Sequence, residues 1–318
     1  MTLKQIYNII IEEGIRRDPR GKSRILLQLN KKRREYKRLS PKEKRYFDLD
    51  SLFNPYADTR IIYGDGNREI KRVLVGIDIN VGEILLADSL TSKGKKIDLC
   101  ISHHPEGKAW ANFYEVMDLQ SDIFSSFGIA TNVATGLLKE RKLEVARKVH
   151  AANHTQTADA ARLLDIPLLC MHTVSDNQVT FYLNNLIKKN NPQKVSQIID
   201  ILEDIPEYQI AKRNNAGPQL ILGSKNNKPG KIIVEMTGGT EGPKRIIDYY
   251  TNVGIGTIVC MHLSEEHFKV AKDKNLNIIV AGHIASDNIG MNLLLDVINK
   301  KADIEVVCCS GFTRIKRD

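Results

Sequence analysis

Short apolar runs alternate with helical patterns along most of the chain. Residues 72–78 (RVLVGID) have the length of a strand and precede a helical pattern at 81–90. Residues 97–102 and 166–171 form two further runs of this kind. Apolar strands that alternate with helices are typical of a parallel sheet built from βα units. The pattern therefore predicts an α/β fold.

A second series of the same kind begins near residue 231. Strands and helices are predicted in alternation at 232–236, 243–252, 256–261, 265–274, 277–281, 286–300 and 304–309. Between the two series, turn-forming residues at 213–218 and 223–230 are expected to flank a hairpin. We therefore predict two α/β lobes, at 71–180 and 231–318, joined by a connecting insert at 181–230.

The first 70 residues follow a different pattern. Leu3, Ile6 and Ile10 form a helical stripe that ends at residues 18–21 (DPRG). A second helical stretch, rich in Lys and Arg, runs to about residue 39, and the pair at 40–41 (SP) predicts another helix start. We assign residues 1–70 to a basic helical N-terminal extension outside the core.

The net charge of the chain is concentrated in that segment. The formal charge of the 318 residues is +9. Residues 1–50 hold 15 Lys/Arg against 7 Asp/Glu, which leaves 32 against 31 for the rest of the chain. Arguments from basicity therefore concern the N-terminal segment alone.

Two patterns bear on the compartment. No apolar run approaches the roughly 20 residues that a membrane span requires, and the N-terminus has no signal-peptide pattern. The chain has an odd number of cysteines, without a CxxC pair, each in an apolar stretch: Cys100, Cys170, Cys260, Cys308 and Cys309. We expect buried thiols in a reducing cytoplasm and no membrane partner.

Most of the histidines follow predicted strands. They lie in the segments 103–105 (HHP), 172–176 (HTVSD), 262–267 (HLSEEH) and 283–287 (HIASD). In open parallel sheets the carboxyl ends of the strands line the ligand crevice, so these imidazoles and carboxylates are expected to converge. A single histidine after a strand is more often a hydrogen-bonded loop residue than a metal ligand. The prediction of a metal site therefore rests on the occurrence of histidines after four strands of the same fold.

Such a set of side chains suits two metal ions. Where the strand turns into a loop, His103 and His104 can each face one of two neighbouring ions, and His283 and Asp287, four residues apart, can reach a common site. Asp176 offers an oxygen that can bridge two cations. Imidazoles and carboxylates without thiolates suit zinc, iron(II), manganese or nickel.

The motifs together resemble the NIF-three-like family (NGG-interacting factor three, also labelled GTP cyclohydrolase type two homologues). The resemblance covers roughly residues 71–310 and rests on Asp78, 98–105 (DLCISHHP), 172–176, 237–242 (TGGTEG) and 281–287 (AGHIASD). The segment between His104 and His172 is longer than the family pattern leads one to expect. The resemblance implies a two-lobed α/β fold, a dinuclear metal centre, and assembly as a homo-oligomer, a toroidal hexamer.

By this resemblance, two divalent metal ions per chain would be held by His103, His104, Asp176, His283 and Asp287. The last of these is commonly Glu in the family, and the shorter Asp287 can alter the spacing or the preference for a metal. Asp159 competes with Asp176 for its position in the motif. Residues 1–70 match nothing in the family core.

The predicted function is that of a metal-dependent hydrolase. Two divalent ions about 3.5–4 Å apart lower the pKa of a bridging water and stabilise a displaced oxygen. The substrate would be a small molecule, nucleotide-like or another phosphoester. Candidate acid–base or orienting residues are His262, Glu265 and His267, unless this segment is a solvated helix start with Ser264 as its N-cap.

The glycine-rich segment 237–242 offers a candidate substrate contact. Backbone N–H groups of Thr237, Gly238 and Gly239, between a strand and a helix, can meet an anion. A simple tight turn explains the segment as well, and Glu241 would oppose a phosphate.

An alternative is a non-enzymatic metal-binding regulatory or nucleic-acid-associated protein. The run at 31–38 (KKRREYKR), within residues 1–50, can contact nucleic-acid phosphates. It can equally be a solvated helical face, or one docked on an acidic neighbouring subunit. Tyr36 is the only aromatic residue of the run, so base stacking has little support.

Overall fold

The computed structural model describes residues 1–317, which fold around two separate β-sheets. The strands are β1 (Thr59–Tyr63), β2 (Arg72–Gly76), β3 (Leu99–Ser102), β4 (Leu168–Met171), β5 (Gln219–Leu222), β6 (Lys231–Glu235), β7 (Ile255–Cys260), β8 (Asn277–Val280) and β9 (Glu305–Cys308). The helices are α1 (Leu3–Arg17), α2 (Lys22–Arg38), α3 (Pro41–Lys44), α4 (Val81–Ser92), α5 (Gly107–Ala111), α6 (Asp118–Ser126), α7 (Thr131–His150), α8 (Gln156–Leu163), α9 (His172–Asn190), α10 (Val195–Glu203), α11 (Pro206–Arg213), α12 (Ile247–Tyr250), α13 (Glu265–Asp273) and α14 (His283–Asn299). Within residues 1–317, none of the helices combines the length and the apolar character that a membrane crossing needs.

Each sheet is mostly parallel and has one antiparallel edge. Sheet 1 has the order β1-β4-β3-β2-β9, in which β1 alone is antiparallel to its neighbour. Sheet 2 has the order β5-β8-β7-β6, with β5 antiparallel to β8. Strands β3 and β4 are buried along their whole length, as continuous apolar runs between helices should be. The predicted α/β fold with two lobes is confirmed.

Helices α9 and α14 connect the two sheets. Side chains of both helices pack into the apolar cluster beside sheet 1 and into the cluster beside sheet 2. They cross at Gly290, where an added Cβ would lie 2.3 Å from the carbonyl oxygen of Ser175. Only a glycine permits this approach of two backbones. The crossing therefore fixes the N-terminal turns of the two helices side by side.

The sheet composition differs from the sequence prediction in three places. The last strand, β9, pairs with β2 in sheet 1 and not with the strands of the second series. Strand β1 also belongs to sheet 1, although it lies within residues 1–70. The predicted hairpin is wrong, because β5 pairs with β8 while β6 pairs with β7. The turn residues at 213–218 and 223–230 do mark turns of the chain. The strands next to them, however, pair with strands that are distant in sequence and not with each other.

The N-terminal helices are confirmed, but α1 is not outside the core. Leu3, Ile6 and Ile10 are at most 1% exposed and pack with the cluster beside sheet 1. In α2, by contrast, only Ile25 and Leu29 are buried. The basic residues fall mainly on α2, so the segment combines a core helix with an exposed basic one.

The cysteines are all free, and three are buried as predicted: Cys100, Cys170 and Cys260. Cys308 is exposed and Cys309 is half-buried, which contradicts the expectation for these two. They lie at the end of β9, an edge strand that no further strand covers.

Candidate metal centre

Four histidines and two aspartates converge where strands of both sheets lead into the connecting helices. His103 and His104 follow directly after β3. His172 and His283 are the first residues of α9 and α14, and Asp176 and Asp287 lie one turn further along the same helices. The i, i+4 spacing places each carboxylate on the face that carries the histidine. Sheet ends and the α9–α14 crossing thus build the cluster.

The distances within the cluster are those of ligands that share an ion. His103 Nε2 lies 3.3 Å from Asp287 Oδ1 and 3.6 Å from Asp176 Oδ1. Asp287 Oδ2 lies 3.7 Å from His104 Nε2 and 3.6 Å from His283 Nε2. Two ligands at about 2.1 Å from one tetrahedral ion are about 3.4 Å apart. Asp287 therefore faces two groups of donors, one with each of its oxygens.

Several of these polar atoms are buried without a hydrogen-bond partner among the described residues. They are both ring nitrogens of His103, Oδ1 of Asp176 and both carboxylate oxygens of Asp287. An unsatisfied buried polar group is costly, and a bound cation satisfies such lone pairs. Three overlapping groups have donor atoms within 4.8 Å of one another: His103/His104/His172, His104/His283/Asp287 and His103/Asp176/Asp287. The donor set fits a metal centre.

The protonation preferences of His103 and Asp287 agree with that assignment. Burial lowers the pKa of His103 to about 4, so that the ring is neutral and has a lone pair to donate. The pKa of Asp287 is below its ordinary value, because the neighbouring His103 and His283 outweigh the effect of burial. Neutral imidazole and ionised carboxylate are the forms that bind divalent metals.

Asp176 is less readily ionised than Asp287. Burial, with the nearby charges of Asp287 and Asp58, raises its pKa well above the ordinary value. A cation beside Asp176 would reverse this, since an opposite charge favours the ionised form. The competing residue, Asp159, lies on α8 in a solvent-exposed pair with Arg162 and is not part of the cluster.

Asp58 is missed by the sequence prediction, whereas His172 is among the strand-end histidines expected to converge but has no ligand role assigned to it. Asp58 is fully buried, and its Oδ2 lies 2.8 Å from His172 Nδ1 and accepts a hydrogen bond from the hydroxyl of Thr173. The pKa of His172 rises to about 9, because Asp176 and Asp58 outweigh the opposing effect of burial. The convergence of His172 with the other strand-end histidines is thus as predicted. Nothing in the local sequence points to Asp58.

Asp78 orients His104, which is a half-buried histidine of the cluster. Its Oδ1 lies 2.7 Å from Nδ1 of His104, so His104 presents Nε2 to Asp287. A carboxylate on the far nitrogen fixes the tautomer and the ring orientation of a metal-binding histidine. The sequence motif contains Asp78 but does not by itself indicate this role.

Of the three predicted acid–base residues, His262 alone has a nitrogen open to the cluster. Its ring centroid lies 5.0 Å from that of His283, and its Nδ1 lies 3.5 Å from Glu241 Oε1. His267 lies nearby, but its Nδ1 is 2.6 Å from the Ser264 hydroxyl and its Nε2 is 3.0 Å from the carbonyl of Gly242. Both nitrogens of His267 thus hold the turn in place.

Glu265 does not reach the site. Its side chain is 74% exposed and lies 3.8 Å from Lys269 on the outer face of α13. The first turn of a helix projects side chains in all directions, and this position faces solvent. Ser264 is the N-cap of α13, as the alternative interpretation of the segment held.

The glycine-rich turn lies between the cluster and the segment 105–165. The Thr237 hydroxyl donates to Asn177 on α9, and the Gln120 amide donates to the carbonyls of Gly238 and Thr240. Gly238 has φ 118°, and an added Cβ would lie 2.7 Å from Gln120. The turn is therefore packed tightly against α6, and Thr237 and Gly239 line the space in front of the cluster.

A cavity of about 520 Å³ opens in front of the cluster. His103, His104, Asp176, His283 and Asp287 line one end. The long segment between His104 and His172 provides an aromatic wall that includes Trp110, Phe113 and Phe124. Phe113 lies edge-on to His172, with 5.5 Å between ring centroids. The volume is in the range of small-molecule sites.

Known proteins share this architecture. No protein-family model matches the chain. The chain is similar to a solved structure described as an NIF3 superfamily protein from Sphaerobacter thermophilus, with 28% identity and a TM-score of 0.70 over 80% of this chain and 92% of that one. Its fold is also similar to that of reduced HcgD from Methanocaldococcus jannaschii, with 14% identity and a TM-score of 0.51 over 84% and 94% of the two chains. A stretch of 155 residues is 24% identical to a GTP cyclohydrolase 1 type 2 homolog from Pseudomonas aeruginosa, and the match spans 44% of this chain and 60% of that relative.

Proposed function

The chain belongs to the NIF3 superfamily, and from this membership and its buried His/Asp cluster we propose that it is a dinuclear metal-dependent hydrolase. The substrate is a small molecule, nucleotide-like or another phosphoester. The observation that carries the proposal is the set of buried, unsatisfied donor atoms at the closed end of a cavity of ligand size. Buried groups of this kind are retained where function requires them.

The two ions would be held by overlapping sets of ligands. His103 and Asp176 belong to one set, and His104 and His283 belong to the other. Asp287 belongs to both, with Oδ1 towards His103 and Oδ2 towards His104 and His283. The ions can be zinc, iron, manganese or nickel, all of which accept this donor chemistry.

Two divalent ions, when bound, lower the pKa of a water held between them and stabilise charge on a displaced oxygen. The chain itself supplies orientation around them. Asp78 fixes His104, and Asp58 fixes His172, each through the Nδ1 atom of the histidine. This leaves Nε2 of each ring for the cavity.

His262 is the proposed acid–base residue. Its side chain is half exposed to the cavity, and Glu241 lies beside its Nδ1. The pKa of Glu241 falls to about 2, because His262, His267 and the backbone of Ser264 outweigh the effect of burial. An ionised Glu241 favours the Nδ1–H tautomer, so that Nε2 of His262 can exchange a proton with substrate.

Substrate would enter along the aromatic wall and the glycine-rich turn. Thr237 and Gly239 line the cavity beside Glu241 and His262. We propose Thr237, Gly238 and Gly239 as contacts for a polar group of the substrate, with Gln120 holding the turn in shape. The aromatic side chains of α5 and α6 exclude water from the reacting end, which strengthens electrostatic interactions there.

A combined metal analysis and hydrolase screen tests the proposal. Wild type is compared with the double variant His103→Ala/His104→Ala across nucleotides and simple phosphoesters. We expect the double variant to lose both metal and turnover, by at least about 100-fold in rate. His150→Ala, an exposed histidine on α7, is the matched control. Two outcomes would contradict the hydrolase assignment. One is turnover that does not depend on metal, and the other is the absence of turnover on every substrate tested with metal-loaded wild type.

Assembly and compartment are part of the proposal. The family resemblance supports a homo-oligomer, a hexamer, and Leu85, Leu86 and Leu163 are large apolar side chains exposed on α4 and α8. The free cysteines support a reducing compartment, the cytoplasm. Light scattering of the purified protein should give the mass of six chains, and the mass of a single chain would contradict this part.

A non-enzymatic or nucleic-acid-associated role is the second candidate. On α2, the cations Lys31, Arg34, Lys37 and Arg38 have no ion-pair partner within residues 1–317. Unpaired cations on one helix can contact phosphates, with affinity that falls steeply with salt. A deletion of the segment is an unsuitable test because α1 belongs to the core. The charge variant Lys31→Gln/Arg34→Gln/Lys37→Gln should flatten a salt titration of nucleic-acid binding, and equal binding by wild type and variant removes this candidate.

A further inference from the structure

Asn177 connects the N-terminal segment to the glycine-rich turn in front of the cluster. It follows Asp176 on α9 and is fully buried. Its amide nitrogen lies 3.2 Å from the carbonyl oxygen of Gly14 and 3.4 Å from Oδ2 of Asp18. Its amide oxygen lies 2.7 Å from the hydroxyl of Thr237. One side chain thus contacts both the end of α1 and the wall of the cavity.

The groups around Asn177 determine which way its amide points. The carbonyl of Gly14 can only accept a hydrogen bond, and the carboxylate of Asp18 is paired with Arg20 at 2.8 Å. The hydroxyl of Tyr56 lies 3.3 Å from the same amide nitrogen, but it donates its proton to Asp18. An amide oxygen in this position would face acceptors alone. The NH₂ group therefore points to the N-terminal segment, and the oxygen points to the glycine-rich turn.

This orientation determines what Thr237 can offer to a ligand. An amide oxygen only accepts hydrogen bonds, so the hydroxyl of Thr237 must donate its proton to Asn177. Within residues 1–317 that hydroxyl has no further hydrogen-bond partner. Thr237 is half-buried and lines the cavity. Towards a ligand, this hydroxyl can therefore accept a hydrogen bond but cannot donate one.

The charges near Thr237 favour the same kind of ligand group. The carboxylate of Glu241, in the same turn, lines the cavity and is an acceptor as well. Lys231 is the single lysine or arginine in the described lining of the cavity. It begins β6, roughly 20 Å of extended chain before Thr237. This part of the wall thus presents acceptors and negative charge, with no cationic side chain to receive an anionic group.

We propose that Thr237, held by Asn177, selects substrates that carry a hydrogen-bond donor beside the reacting phosphoester, such as a hydroxyl or an amino group. A carbonyl or a further phosphate at this position would face a lone pair instead of a proton, and an unmade hydrogen bond in a partly buried site is costly. Thr237 would determine specificity, and Asn177 is a positioning residue. The inference rests on the proposed function for the location of the metal ions, and it adds a chemical feature of the substrate.

Two probes of the same skeleton test this selection without turnover. A hydroxyalkylphosphonate can donate from its hydroxyl, whereas the oxoalkylphosphonate with a ketone in the same place can only accept. The phosphonate group of both binds divalent metal, so calorimetric titrations of zinc-loaded protein compare the two at increasing chain length. At the length that reaches Thr237, wild type should bind the alcohol about fivefold more tightly, as for one ordinary hydrogen bond. Equal affinities at every length, or no binding of any alcohol, overturn the proposal.

Two variants assign the preference by opposite routes. Thr237→Val removes the acceptor, so the alcohol should bind more weakly while the ketone is unaffected. Asn177→Leu releases the hydroxyl proton of Thr237 to the cavity, so the ketone should bind more tightly. Thr237→Ser should retain the wild-type preference, as should the control Thr135→Val at an exposed position of α7. A full preference in folded Thr237→Val overturns the assignment to Thr237, and unchanged ketone affinity in folded Asn177→Leu overturns the role of Asn177.

The failure of this inference and the failure of the proposed function are distinguishable. The comparison of the two probes on wild type stands even if Asn177→Leu, which changes a buried position, does not fold. An absence of hydrolysis in the earlier screen, with the preference for the alcohol intact, would count against the hydrolase and not against the selection at Thr237.

Discussion

Helices α9 and α14, which carry ligands of the proposed metal centre, cross closely at Gly290. A larger side chain at this position should therefore disturb the site. In Gly290→Ala the new Cβ would lie 2.3 Å from the carbonyl oxygen of Ser175 and 2.8 Å from its carbonyl carbon. These are backbone atoms, so no side-chain rotation can relieve the contact. Restoring an ordinary contact of about 3.4 Å requires the two helices to separate by about 1 Å locally.

The expected change in the free energy of unfolding of Gly290→Ala follows from two opposing effects. Overpacking of a core costs about 1–3 kcal/mol, and alanine in a helix is about 1 kcal/mol more favourable than glycine. Gly136→Ala is a matched control, because Gly136 also lies inside a helix and an added Cβ would meet nothing within 4 Å. The helix propensity cancels between the two variants, so Gly290→Ala should be less stable than Gly136→Ala by about 1–3 kcal/mol.

The same displacement should weaken metal binding. Ser175 precedes Asp176, and Gly290 lies three residues after Asp287, so separation of the helices pulls the two carboxylates apart. Metal sites tolerate errors of about 0.2 Å in ligand distance, and we expect at least about tenfold weaker binding. Urea unfolding gives the stability difference, and competition with a chelator gives the metal affinity. Equal midpoints and equal affinities for Gly290→Ala and Gly136→Ala would refute the reasoning.

Three further predictions concern other parts of the fold. Ile10→Ala should lower the free energy of unfolding by about 2–5 kcal/mol, because Ile10 is fully buried in α1, whereas Leu27→Ala on exposed α2 should change it by less than about 0.5 kcal/mol in urea titrations. Glu235→Gln should remove a pH dependence of stability. Folded Glu235, with a pKa of about 7, retains a proton that the unfolded chain loses near pH 4.3. The free energy of unfolding of wild type should therefore fall relative to that of the variant between about pH 4.3 and 7, and stay level above pH 7. Parallel curves of stability against pH for the two proteins would exclude this. Asp58→Asn should weaken metal binding by up to about tenfold in chelator competition, because Asp58 holds His172 beside the proposed ligand Asp176, and unchanged affinity would show that Asp58 has no such role.

Local sequence patterns were sufficient for the elements and for most of the cluster. Strands β3 and β4 are apolar along their length, so their position could be predicted without knowledge of their neighbours. The metal-binding residue types in the motifs that follow these strands, and in the HxxxD motif of His283 and Asp287, lie within a few residues of one another in sequence. They can therefore be found without knowledge of the fold. Because the carboxyl ends of parallel strands meet at one edge, the convergence also followed from the fold class.

Long-range pairing explains what the sequence could not show. The pairing of Thr59 with Met171 places Asp58 beside His172, although 114 residues separate them. No local pattern specifies that partner strand, and the same holds for β9, which returns to β2 at the end of the chain. The exposure of Glu265 likewise depends on how α13 is rotated against sheet 2. Tertiary contacts decided these positions.

The number of metal ions bound per chain tests the central claim most directly. Asp287 is shared by both ligand sets, whereas Asp176 belongs to one. Elemental analysis after saturation and removal of free metal should therefore give about two divalent ions per chain for wild type, about one for Asp176→Asn, and close to none for Asp287→Asn. One ion or fewer in wild type, or two ions retained by folded Asp287→Asn, would contradict the dinuclear centre.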